Sequence, residues 1–304
     1  AMEGAGAALS DLLGLKVPRV FGASDPNDYS KTKKKNGLNE GMQWARFEFI
    51  DEDFAPDADG DFLDGGVADV AFAGKPWANR NEPLFLSMLD YVMGNDDRHR
   101  QNWKEYVDKD GNRHLVPFDF GAASTSSIVW GFNEYTDADG VVDVDALMKA
   151  SFEDFVYNMS GTDDNRGVTE YNTRPSRMMS VASNAFDGDE AEIRKGIEDF
   201  LKRMGEGLGP IKRDRDGTAY FADAGKSAEA IHGYNADYEL TPSADDAMDD
   251  DSVFDINIDN LEGFLAERLL CLQENADRVA KVIADNAEVD KVNGGPVKKK
   301  GGKK

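Results

Sequence analysis

Gly94-Asn95-Asp96-Asp97-Arg98-His99-Arg100-Gln101-Asn102 and, a little further on, Pro117-Phe118-Asp119-Phe120-Gly121 are the two stretches that decide how this chain is read. Asn102 follows Asp97 by five positions, and Asp119 follows Asn102 by seventeen. Between them, residues 103–107 and 114–118 read as two short strands around Asp108-Lys109-Asp110-Gly111-Asn112, a hairpin turn signal. Upstream, Leu84, Phe85, Met88, Leu89 and Val92 recur at helical spacing. Asn81 is the expected cap of that helix, and Pro83 suits its first turn. Helix, loop and hairpin in this order bring Asp97, Asn102 and Asp119 to one place.

Those three side chains match the needs of phosphoryl transfer. One carboxylate orients the attacking nucleophile, while an amide oxygen and a second carboxylate hold the Mg²⁺ that bridges the phosphates of ATP. Either loop alone is a weak signal, because Asn-Asp-Asp is a common turn and Asp-Phe-Gly is only three residues. Their joint order, spacing and intervening hairpin carry the inference.

Working outward, Ala7, Leu9, Leu12 and Leu13 predict an opening helix over residues 3–15, with Gly14 as its stop. Residues 17–21 and 44–50 read as strands, and the Lys-rich run 25–41 between them as a solvated loop. Residues 51–66 form an acidic loop. Its Asp57-Ala58-Asp59-Gly60-Asp61 segment is similar to a calcium loop, but Phe62 stands where the turn needs Gly and Ala68 where the last ligand should be Glu. Turn chemistry is the better account of it. Beyond Asp119 the pattern predicts helices over 189–204 and 259–284, with a solvated acidic loop at 245–251 between them. The Gly- and Lys-rich tail 291–304 is expected to be disordered. No internal repeat is present.

The bulk composition sets bounds. With 304 residues the chain can bury one large core or two modest ones. Its net charge of −24 makes nucleic acid and anionic membrane surfaces unlikely general partners, and solubility is the simpler purpose. Cys271 is the single cysteine and falls on the apolar side of a helical pattern, so it reads as a small hydrophobe rather than a nucleophile. His114 and His232 lack metal-ligand spacing to other His or Cys residues. Ser124, Ser126 and Ser127 lie in no nucleophile elbow. No stretch approaches the roughly 18 apolar residues of a membrane span. The chain also lacks the basic-then-apolar order of a signal peptide, which makes cytoplasmic residence the default expectation.

Asp97-Arg98-His99 with Asn102, followed by Asp119-Phe120-Gly121, resembles the catalytic and metal loops of phosphatidylinositol 3- and 4-kinases. HipA-, CotH- and secretory-pathway-type atypical kinases share similar constellations. The opening helix and Leu13-Gly14-Leu15-Lys16-Val17-Pro18 also resemble those families, in which a Glu-bearing helix runs into such a turn. The resemblance covers roughly residues 3–22 and 84–124. It implies an α+β, protein-kinase-like fold, mainly a helical C-lobe over 53–290 with a partial N-lobe over 1–52. ATP and Mg²⁺ are the implied cofactors. Asp97 would orient or deprotonate the acceptor hydroxyl, with His99 near the transferred phosphate. Asn102 and Asp119 would hold the metal, Gly121 would complete the metal loop, and Glu3 would pair with a phosphate-binding Lys. Arg98 is expected to brace its loop through a carboxylate rather than touch substrate.

Two departures qualify that implication. The family places strands, a loop over the phosphates and a Lys before the Glu-bearing helix, and no Gly-rich loop followed by a strand Lys occurs in these 304 residues. The chain therefore reads as a fragment or a shortened protein. Second, no Lys or Arg lies between Arg113 and Lys149, whereas Glu134, Asp137, Asp139, Asp143 and Asp145 do. A lipid headgroup is disfavoured as substrate. The expected acceptor is a protein hydroxyl or a small polar molecule. A catalytically silent binding or assembly module on the same fold, and an acidic structural protein matching the loops by accident, remain as alternatives.

Overall fold

A computed structural model describes residues 2–22, 45–47, 49–51, 53–95, 98, 101–120, 174–215, 217–232 and 258–285. They form a mixed α+β structure of eight helices and seven short strands among the described residues. The helices are α1 (Met2–Leu13), α2 (Gly65–Ala71), α3 (Asn81–Met93), α4 (Arg174–Ala185), α5 (Glu190–Leu208), α6 (Ala224–His232), α7 (Ile258–Glu274) and α8 (Ala276–Asp285). The strands are β1 (Val20–Gly22), β2 (Ala45–Phe47), β3 (Leu63–Asp64), β4 (Trp103–Val107), β5 (Arg113–Pro117), β6 (Ile211–Arg213) and β7 (Ala219–Phe221). No helix among the described residues is long and apolar enough to cross a membrane.

Helix α3 is the axis of the core. Leu84, Phe85, Leu86, Met88 and Leu89 are all fully buried, so this helix is enclosed on every side, and its buried polar residues Glu82, Ser87 and Asp90 accept or donate hydrogen bonds. It packs against α1, α4, α5 and α7. Leu9 and Leu13 of α1 join the same apolar cluster as Ile193, Ile197 and Phe200 of α5 and Leu269, Val279 and Ile283 of α7 and α8. Each such side chain contributes about 1.5–3 kcal/mol through removal from water. Cys271 is half-buried and packs against this cluster, in keeping with its apolar position.

Among the described residues three antiparallel sheets accompany the helices: β1–β2, β3–β4–β5 and β6–β7. In the central one, Trp103 pairs with Pro117 and Val107 with Arg113, and Asp108 closes the turn by accepting from the Asp110 and Asn112 amides. The outer edge of β5 is covered. The Arg113 amide donates to the Pro76 carbonyl at 2.7 Å, the Leu115 amide donates to Glu82 Oε2 at 2.8 Å, and Pro117 has no amide hydrogen. On the other side, the Asp59 amide donates to the Val107 carbonyl and the Lys109 amide to the Asp57 carbonyl. The Asp57–Asp61 segment thus serves as a backbone tie to the hairpin.

Several sequence expectations are corrected. Asn81 is not the cap of α3: Asn79 Oδ1 accepts the Asn81 amide at 3.0 Å, and the Asn81 side chain reaches toward Asp199 instead. The strand expected at 17–21 is observed at Val20–Gly22, paired with Ala45–Phe47 inside the stretch expected at 44–50, of which residues 44 and 48 lie outside the described residues, and the second hairpin strand begins one residue earlier than expected. Residues 51–66 are not all loop, since they include β3 and the start of α2. Helix α4, the β6–β7 hairpin and α6 were not anticipated, and His232 is the last residue of α6. The helix expected over 259–284 is divided into two at Asn275, whose backbone amide and side-chain amide both donate to the Cys271 carbonyl, at 3.1 and 2.8 Å. The tail and the 245–251 loop lie outside the described residues.

Candidate functional site

The loop after α3 is set by the way the helix ends. Gly94 adopts φ 65°, ψ 36°, the left-handed conformation that favours glycine, and its amide returns to the Asp90 and Tyr91 carbonyls. The Asn95 amide then donates to the Asp90 carbonyl at 2.8 Å. Arg98, four residues beyond this cap, lies in the interior beside the end of the helix.

Arg98 is fully buried and binds three segments at once. Its Nε and Nη2 donate to the Asp90 carboxylate at 3.0 and 2.9 Å. Its Nη1 donates to the Asn102 carbonyl at 2.6 Å and also to the Phe118 carbonyl. Charge-assisted hydrogen bonds of this kind contribute about 1.5–3 kcal/mol each. Burial pushes the Asp90 carboxyl above its ordinary pKa, against the opposing pull of Arg98 and Asn95. Arg98 therefore braces its loop through a carboxylate, as the sequence suggested, and it also reaches the second loop.

The Phe118 amide donates back to the Asn102 carbonyl at 3.2 Å, extending the β4–β5 ladder by one pair. Asn102 is buried, while Asp119, the next residue after Phe118, is exposed and carries φ 58°. A left-handed Asp is uncommon and mildly strained. Asp187 shares the conformation, but there the backbone turn after α4 accounts for it, with Gly188 bonded to Ser183. Phe120 turns inward under Asp119. One face of its ring meets the Arg98 guanidinium at 4.7 Å, and Gly6 of α1 lies so close that a Cβ there would come within 2.3 Å of Phe120 Cγ.

Of the residues expected at the site, Asn102 and Asp119 come together at the open end of one hairpin. Glu3 lies on α1, the helix that packs beside Phe120. Asp97, His99 and Gly121 lie outside the described residues. An amide oxygen and a carboxylate are hard donors suited to Mg²⁺. Among the described residues, no group of three or more His, Cys, Asp or Glu side chains gathers as a metal site. Lys16 is engaged elsewhere: it lies 3.6 Å from Asp57 and over the Phe54 and Tyr106 rings. Asp90 was missed by the sequence reading. Its signal was a lone carboxylate inside the run from Leu84 to Met93, where a charge must find a partner.

Comparisons with protein-family models, curated proteins and solved structures each find no match.

Proposed function

We propose that this chain is a Mg²⁺-dependent phosphotransferase of the protein-kinase-like type, moving the γ-phosphate of ATP to a protein hydroxyl or a small polar acceptor. The observation that carries the reading is the Arg98 knot. One buried guanidinium fastens the Asn102 backbone to that of Phe118, so the two proposed metal ligands arise from adjacent, mutually fixed positions. The exposed, left-handed Asp119 supports it further, since strained residues cluster at functional sites. In this reading Asn102 and Asp119 hold the cation, which screens the phosphate charge, and Asp97 orients the acceptor hydroxyl with His99 close to the transferred group. The acidic composition disfavours a lipid headgroup.

A second reading, a silent nucleotide-binding or assembly module, is favoured by the lysines. Beyond Lys16, Lys104 is paired with Asp64 at 2.7 Å and Lys109 donates to the Pro56 carbonyl. None of these three is disposed as a phosphate-gripping Lys.

Calorimetric titration with ATP, with and without Mg²⁺, tests the shared part of both readings. Mg²⁺-dependent binding lost in Asp119→Asn supports the site, and absence of binding in the wild type sinks it. Transfer of labelled γ-phosphate to a generic protein acceptor then separates enzyme from silent module.

A further inference from the structure

Asp90 belongs to no motif, yet the geometry of the candidate site begins with it. It lies near the end of α3, where Tyr91, Val92 and Met93 are also buried. A carboxylate in such a place is costly unless it is paired and hydrogen-bonded. Asp90 accepts from Arg98 Nε and Nη2 and from Asn95 Nδ2, the last at 3.0 Å. The two contacts from Arg98 fix the plane of the guanidinium. That plane decides where Nη1 points, which is at the Asn102 and Phe118 carbonyls, and it sets the face offered to the Phe120 ring.

Resting on the phosphotransferase reading, we infer that Asp90 is a positioning residue for the metal pair. Through Arg98 it sets the separation between the Asn102 and Asp119 segments, and hence the geometry presented to a divalent cation bound with a nucleoside triphosphate. Asp90 is 3% exposed and reaches the Asn102 and Phe118 segments through Arg98. Partners that orient metal ligands from behind typically change metal affinity by about 10–100-fold when removed.

The full chain is titrated with Mn²⁺–ATP, with bound Mn²⁺ read by electron paramagnetic resonance, and separately with ATP free of divalent ions. Wild type is compared with Asp119→Asn, Asp90→Asn and the double variant Asp90→Leu/Arg98→Met. The double variant removes both buried charges together, so neither is left unpaired. Wild type is expected to bind Mn²⁺–ATP and Asp119→Asn to lose it. The Asp90 variants should weaken Mn²⁺–ATP by about tenfold or more. Metal-free ATP binding and the near-ultraviolet circular dichroism should be unchanged. The ratio of the two affinities is what a merely structural role would not move. Wild-type Mn²⁺–ATP affinity in a folded Asp90 variant overturns the inference and leaves the phosphotransferase reading intact. An equal loss with and without metal also overturns it, as does unfolding of both variants, because the carboxylate would then hold the fold rather than the loops. No binding by the wild type removes the phosphotransferase reading and this inference together.

Discussion

Arg98 shows how much of this molecule can depend on one side chain. Replacing it with Ala leaves the Asp90 carboxylate buried without its cation and takes one donor from each of two carbonyls, of which that of Asn102 keeps the Phe118 amide. The expected loss is about 3–5 kcal/mol, read from urea unfolding. Gly6 has a narrower role. In Gly6→Ala the new methyl would lie where Phe120 now packs, so Phe120 must move and Asp119 with it. On the phosphotransferase reading, Mg²⁺-dependent ATP binding should fall in that variant by more than global stability does, a comparison that calorimetry and thermal melting make directly. At this scale the sequence was legible in the turn signal whose hairpin sets the Asn102 and Phe118 backbones side by side. Asp90 was not legible, because nothing in its neighbours says which residue will neutralise it. Gly6 was equally silent, since a close approach is a property of two distant segments.

Among the elements, α3 and the β4–β5 hairpin were readable, because apolar periodicity and a strong turn signal survive without tertiary context. Helix α4 was not, since Ser180 and Ser183 are buried along with Met178, Met179, Val181 and Ala182, which blurs the apolar period, and it packs chiefly on α3. Helix α2 is seven residues long and starts at a Gly pair. Its Gly65 lies against Trp103, where a Cβ would fall 1.9 Å from the ring. Gly65→Ala should therefore destabilise by about 1–3 kcal/mol, as overpacked cores do, with a matching fall in the melting temperature. His114 joins the hairpin to the start of α3. It stacks on Tyr106, lies 3.0 Å from Asp108 and 3.7 Å from Glu82, and the Glu82 carboxylate, against the cost of burial and with help from Asp108, raises its pKa. A raised folded pKa means that protonated His114 stabilises the fold below the unfolded value of about 6.5 and that this contribution is lost as pH rises through the folded value. Wild-type stability should thus decline across that window relative to His114→Gln, measured by denaturant unfolding at a series of pH values.

For the whole molecule, the −24 charge is the dominant long-range quantity. Self-repulsion of that size opposes compaction and is screened by salt. The melting temperature should rise as NaCl is increased from low ionic strength toward 0.15 M (a Debye length of about 8 Å), whereas a chain held by surface ion pairs would show the reverse. The coarse α+β class followed from the sequence because strands and helices each have a local period. The way α1, α3, α5 and α7 share one core did not, because helix order says little about which faces meet. The covered edge of β5 has a consequence for how any acceptor could approach. Its outward amides are already committed to Pro76 and Glu82, and Pro117 offers none. An extended peptide cannot be zipped on there as an additional strand. On the phosphotransferase reading, a polypeptide acceptor would have to be recognised elsewhere than along this edge.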